Sequence, residues 1–217
     1  KPYNKDIKDS TNYEVIRAVE SMEYSPYRED GEVKLFFDGK ELFDEILESL
    51  EKAKESINIQ FYIFKDDEIG SKVLKILKEK AESGVEVRLL YDSVGSKFLT
   101  KRKLKPIRDA GVKTGEFFPA ILKLVNINLN FRNHRKIIVI DNKVGFVGGF
   151  NVGDEYLGKD PKFGYWRDTH IKFKGSAVKD LNLRFLSDWR YATKEYVDLT
   201  LALKDNSSTI LSDNNYT

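Results

Sequence analysis

The chain has two histidines, and one of them, His134, stands two residues before a lysine in the stretch NHRKIIVIDNKVGFVGGFNVGDEYLG, residues 133–158. A substantial fraction of an imidazole is neutral near pH 7, so it can attack phosphorus, and the N-phosphoryl bond it forms is labile enough to be passed on. Lys136 and the carboxamide of Asn151 can donate to the nonbridging oxygens of a phosphodiester, whose charge must be stabilised as the transition state forms. "RKIIVID" and "VGFVGG" are apolar runs joined by a short polar turn, which predicts an antiparallel hairpin. If Asn142 and Lys143 form a two-residue loop, Asp141 faces Val144, Lys136 faces Gly149 and His134 faces Asn151. The Cβ atoms of that last pair would lie roughly 5 Å apart. His134 and Lys136 then share one face by parity, and Gly149 has no side chain to block it.

An attacking nitrogen must be unprotonated, so a carboxylate should hold the proton on the other ring nitrogen. Asp168 in "YWRDTH" is the first candidate for that acid and Glu155 the second. Asp141 lies an odd number of residues from His134, at the turn, which takes it off the shared face and assigns it a structural role. His170 shares strand parity with Asp168, and its structural and functional readings both stay open. A lone strand histidine is usually structural and a lone lysine usually solvated; the combination is what points to phosphodiester chemistry.

The elements that must hold these groups are legible from periodicity. "EVKLFFDG" reads as a strand, and Leu42, Phe43, Ile46, Leu47 and Leu50 give the stripe of a helix packed on a sheet. "INIQFYIF" alternates strictly, with Ile57, Ile59, Phe61 and Ile63 on one face and Asn58, Gln60 and Tyr62 on the other, as in a half-buried strand. A second helix carries Val73, Leu74 and Leu77 inward and stops at Gly84, and "VEVRLLYD" restarts a strand. Strand and helix alternating in this way predict a parallel arrangement with covering helices, an α/β fold. A basic helix follows around "TKRKLKPIRDAG", then strands at "VKTGEFF", "AILKLVNINLNF" and "DTHIKFKG". A closing helix "SAVKDLNLRFLSDWRYATKE" completes the pattern. Residues 1–30 read as an N-terminal arm with a weak helix near "YEVIRAVESM", 31–195 as the domain, and 196–217 as a linker or disordered tail.

Composition removes several classes. At 217 residues and 41% hydrophobic the chain can bury one substantial core. Without cysteine it has no disulfide, thiolate metal site or cysteine nucleophile, and two histidines cannot build a His-rich metal cluster. The 37 basic residues nearly balance the 35 acidic ones, so the backbone-binding excess of a nucleic-acid protein is missing and no nucleic-acid partner is expected. No window approaches a membrane span, and the first residues carry no signal-peptide pattern, so a soluble piece is expected. The chain begins at Lys1 and its one methionine is Met22. The expectation is therefore that the natural start lies upstream, with any membrane anchor.

His134, Lys136 and Asp141, followed by Gly148, Gly149 and Asn151, resemble the H-x-K-x4-D pattern and glycine-rich turn of the phospholipase D superfamily. Within it, "DGKELFDEILESLEKAKESI", "GVEVRLLYDSVGS", "FRNHRKIIVID", "GGFNVGDEYLG" and "WRDTHIKFKG" are similar to bacterial cardiolipin synthases of the phospholipase D type, over roughly residues 30–195. The resemblance implies a phospholipase D-like domain, a mixed central sheet flanked by helices. It implies transfer of a phosphatidyl group between two phosphatidylglycerol molecules, giving cardiolipin and glycerol, without metal or organic cofactor and at a bacterial cell membrane. By analogy His134 would be the nucleophile, with Lys136, Asn151 and Asp168 catalytic, Asp141, Gly148 and Gly149 structural, and Glu155 and His170 possible members. Such enzymes carry two complete motifs, with the site formed between two halves, and the complete pattern occurs here once. The chain is thus expected to be a single half of a two-half enzyme, inactive or nearly so alone. Its expected partners are the anionic membrane surface and either a missing C-terminal half with a second motif or a second copy. The alternative is a homodimeric phosphodiesterase or nuclease of the same superfamily.

Overall fold

The structure, a computed structural model, describes residues 13–23, 27, 28, 30–117 and 132–200. Two compact units are distinguished, Lys1–Gly31 and Glu32–Thr217. Helix α1 (Tyr13–Glu23), at the weak helical segment, belongs to the first. The second runs β1 (Val33–Asp38), α2 (Gly39–Glu51), β2 (Ser56–Phe61), α3 (Glu68–Glu82), β3 (Glu86–Asp92), α4 (Lys101–Asp109), β4 (Lys113–Phe117), β5 (Ile137–Ile140), β6 (Val144–Gly148), β7 (Arg167–Lys174) and α5 (Ala177–Thr193). A short 3-10 helix, Asp154–Leu157, lies between β6 and β7. The strand predicted over 120–131 and residues 201–217 of the predicted tail lie outside the described residues.

The sheet is mixed, in the order β1-β7-β6-β5-β2-β3-β4. Among the strands of the described residues, only β2, β3 and β4 run parallel to one another. The expectation of a parallel start fails at β1, which crosses to the far edge and pairs antiparallel with β7. Helical and strand periodicity reveal that a strand exists, not which neighbour it finds.

One face of the sheet buries Ile57, Ile59, Phe61, Val87, Leu89, Ile138 and Phe146 with the inward stripes of α2, α3 and α4. The other buries Leu90, Ile137, Val139, Phe185, Leu186 and Trp189 beneath α5. β5, buried at all four positions, feeds both cores. Here the half-buried reading of β2 needs correction: Asn58 and Gln60 are as buried as their apolar neighbours. Burying an amide without a partner is costly, and α5 supplies partners for the amide N–H groups, while the Gln60 Oε1 has none among the described residues. The Asn58 Nδ2 donates to Asn182 Oδ1 at 2.8 Å, and the Gln60 Nε2 donates to Asp188 Oδ2 at 3.1 Å. Val197, placed by the sequence in the tail, is also buried in this second core.

The hairpin is present but one residue out of the predicted register. Ile137 pairs with Val147 and Ile140 with Val144, leaving a three-residue loop, 141–143. Asp141 and Asn142 both take left-handed backbone, φ 53° and 54°, where short polar side chains are tolerated. The Asp141 carboxylate explains why that residue leaves the strand. It accepts from the backbone N–H groups of Lys54, Glu55 and Ser56 at 2.7–3.2 Å, pinning the turn to the start of β2.

Candidate active site

Antiparallel pairing of β5 with β2 and β6, and of β6 with β7, brings four strand ends together. The end of β2, the approach to β5, the end of β6 and the start of β7 meet at one edge of the sheet. His134 and Lys136 lie just before β5, Gly148 closes β6 with Gly149 after it, Asn151 follows, and Asp168 is the second residue of β7.

His134 is exposed and stands outside the β ladder, so its position does not come from strand pairing. Its ring stacks on Tyr62, centroids 3.9 Å apart and planes 18° from parallel. Tyr62, which follows β2, is a site residue the search for nucleophiles and acids passed over. The alternation of Asn58, Gln60 and Tyr62 was the signal that put it at this end. Lys136 is buried, 8% exposed, and its Nζ lies 5.8 Å from the same Tyr62 ring centroid. That ammonium donates to the His134 carbonyl oxygen at 2.7 Å, fixing the backbone on which the imidazole rides. Burial pushes the Lys136 pKa below its ordinary value, and the Asp168 carboxylate partly opposes this.

Asn151 is reached differently from the predicted cross-strand route. Its Oδ1 accepts from the backbone N–H of Ile63, next to Tyr62, at 3.1 Å, and its Nδ2 donates to the Tyr156 hydroxyl at 3.0 Å. The amide carries a second N–H, for which no partner stands among the described residues. Tyr156, another residue the sequence reading did not select, sits in the 3-10 helix, and burial raises its pKa.

Asp168 lies against Gly149: a Cβ there would come within 1.9 Å of the Asp168 Oδ1, so a larger residue would push the carboxylate out of this position. Gly148 is more tightly constrained, because its Cβ would meet backbone, the His170 Cα and the Thr169 carbonyl, at 2.5 Å. The Asp168 Oδ1 accepts from the Thr169 N–H at 2.7 Å. Among the described residues neither Asp168 nor Glu155 makes a hydrogen bond to the His134 ring; Asp168 instead acts electrostatically on Lys136 and His170. Glu155, 7% exposed, is paired with Lys65 at 2.6 Å.

His170 is fully buried beneath this edge, and neither ring nitrogen has a hydrogen-bond partner among the described residues. Burial drives its pKa down to about 4; Asp168 opposes and Lys136 reinforces the shift. The sequence places Lys172 two residues after it, a second His-x-Lys, but the acid five positions further on is replaced by Ala177. The Lys172 Nζ binds Glu45 at 2.6 Å and Ser49 at 3.3 Å on α2, so this pair is built into the fold.

The arrangement is an accessible imidazole beside a buried cation, an oriented carboxamide and a carboxylate. It can take up a phosphoryl group at His134 and steady its oxygens from Lys136 and Asn151.

Comparison with known proteins follows the same lines. Residues 46–165 match the family described as "Cardiolipin synthase, PLD-like domain". A cardiolipin synthase of Staphylococcus aureus (strain MW2) is 46% identical over 195 residues, which is 87% of this chain and 40% of that protein. One from Clostridium perfringens (strain 13 / Type A) is 49% identical over 177 residues, 82% of this chain and 37% of that one. The chain thus spans about 40% of the length of these relatives. Among solved structures, a phospholipase D family member, Nuc from Salmonella typhimurium, shares the fold with a TM-score of 0.55 at 18% identity, covering 75% of this chain and 97% of its own.

Proposed function

Because the chain belongs to the cardiolipin synthase family of phospholipase D-like domains, we propose that it is the half of a cardiolipin synthase that receives the phosphatidyl group on His134. The observation that carries the reading is the exposed His134 ring held beside buried Lys136 by one aromatic residue, Tyr62. The neutral imidazole attacks the phosphorus of one phosphatidylglycerol. The bond from phosphorus to the glycerol headgroup breaks, and that leaving oxygen takes a proton from an acid of the second half. A hydroxyl of a second phosphatidylglycerol then attacks phosphorus, gives its proton to the same group acting as base, and releases His134 as the P–N bond breaks. The products are cardiolipin and glycerol.

Lys136 and Asn151 stabilise the phosphoryl oxygens through both steps, and Asp168 holds the local charge balance around Lys136. The second half, or a second copy, covers the exposed side of His134. An anionic bacterial membrane surface supplies the substrate, and no nucleic acid is involved. The test is the full-length natural protein in detergent with phosphatidylglycerol. It forms cardiolipin and glycerol in equal amounts, and His134→Asn slows this by on the order of 10³-fold or more. Absence of cardiolipin from the wild-type reaction contradicts the reading. A stable homodimer that cleaves a model phosphodiester yet makes no cardiolipin selects the phosphodiesterase alternative.

A further inference from the structure

His134 sits on a short segment outside the sheet, yet both of its neighbours are tied to one buried carboxylate. The Asn133 Nδ2 donates to the Asp188 Oδ2 at 2.9 Å, and the Arg135 Nη1 donates to the same oxygen at 3.2 Å. Asn133 and Arg135 are also linked to each other, because the Asn133 Oδ1 accepts from the Arg135 backbone N–H at 3.1 Å. Asp188 is 3% exposed on α5. It is itself held from below by Gln60 on β2 at 3.1 Å, and along the helix by Arg184. A buried carboxylate with this many donors is a rigid anchor, since each bond restrains the orientation the others need.

We propose that Asp188 is a positioning residue for His134: it clamps Asn133 and Arg135 to the β2–α5 layer and so fixes the imidazole against Tyr62. The inference rests on the reading of His134 as the phosphoryl acceptor. Three restraints then act on three parts of one segment. Asp188 holds the flanking side chains, Lys136 holds the His134 carbonyl, and Tyr62 holds the ring. A nucleophile must meet phosphorus in line, and displacement by about 1 Å costs on the order of 100-fold in rate. Asp188 touches no substrate in this scheme; it acts through the segment it anchors.

The test uses the full-length natural protein in detergent micelles. Asp188→Asn removes the charge while keeping the shape. It lowers kcat for cardiolipin formation by about 10- to 100-fold and leaves KM for phosphatidylglycerol within about twofold. Asn133→Ala and Arg135→Ala each lower kcat in the same way, and combining either with Asp188→Asn adds little, because the changes break one connected unit. Nuclear magnetic resonance of the His134 ring protons, assigned with His134→Asn, supplies a readout that loss of bulk stability does not imitate. The upfield shift caused by stacking on Tyr62 shrinks in Asp188→Asn. If Asp188→Asn does not fold, the two neighbouring variants carry the test. Unchanged kcat with an unchanged ring shift overturns the inference, as do fully additive losses or a loss confined to KM. If the wild type makes no cardiolipin, the proposed function fails on its own, and the ring shift still decides whether Asp188 positions His134.

Discussion

Lys136 and His170 are neighbours in charge as well as in space, and burial favours the uncharged form of both. For His170 the consequence is measurable. Its folded pKa is about 4 against an ordinary 6.5, so below pH 6.5 the unfolded chain takes up a proton that the folded chain refuses. Stability is therefore undiminished above pH 6.5 and falls as the pH drops toward 4, by up to about 3 kcal/mol. Pairing lowers the pKa of Glu45, through Lys172 and Lys34, and of Glu195, where the rise from partial burial is outweighed by Trp189 and Lys113, so their share is lost below about pH 4.5. Denaturant midpoints measured from pH 7 to 4.5 should fall in the wild type and stay nearly level in His170→Asn, whatever that variant's starting stability. A flat wild-type profile contradicts this account of the buried ring. The His-x-Lys pair alone does not separate His134 from His170, since each precedes a lysine by two; the acid at Asp141, replaced by Ala177 after the second pair, does. The difference in burial was not legible in this way, because burial depends on the whole sheet.

At the scale of elements, the loop after β6 delivers Asn151 and Tyr156 because it is fastened to the start of α3. The Asp154 carboxylate accepts from the Glu68 and Ile69 N–H groups at 3.1 Å, and the Asp67 carboxylate accepts from the Asp154 N–H at 2.7 Å while capping Gly70 at 3.1 Å. Each aspartate satisfies helix N-terminal donors, and together they lock loop to helix. Asp154→Ala should cost about 1–2 kcal/mol in a thermal melt and reduce turnover as well, because Asn151 loses its support. A stability loss with unchanged turnover would separate the clamp from the site. Neither aspartate was legible as a clamp in the sequence, because they are 87 residues apart and only the fold joins them. Local pattern did specify nearly every helix and strand. It missed the hairpin register, because three backbone amides draw Asp141 out of β5. It missed the buried polar face of β2 as well, because an alternating Asn and Gln row looks the same under solvent as under Asn182 and Asp188.

At the scale of the molecule, four strand ends of a mixed sheet converge on one edge, where an exposed imidazole stands over buried charge. Among the described residues no helix is long and apolar enough to cross a membrane, and the chain covers about 40% of its relatives. In the function proposed above, a second half or a second copy closes over the exposed face of His134. The direct measurement is to quench the full-length protein during turnover of ³²P-labelled phosphatidylglycerol and map the label. An acid-labile, alkali-stable label on the peptide containing His134, absent from His134→Asn, is the predicted result. Cardiolipin formation with the label confined to a histidine elsewhere in the assembly would contradict the assignment of His134 as the acceptor.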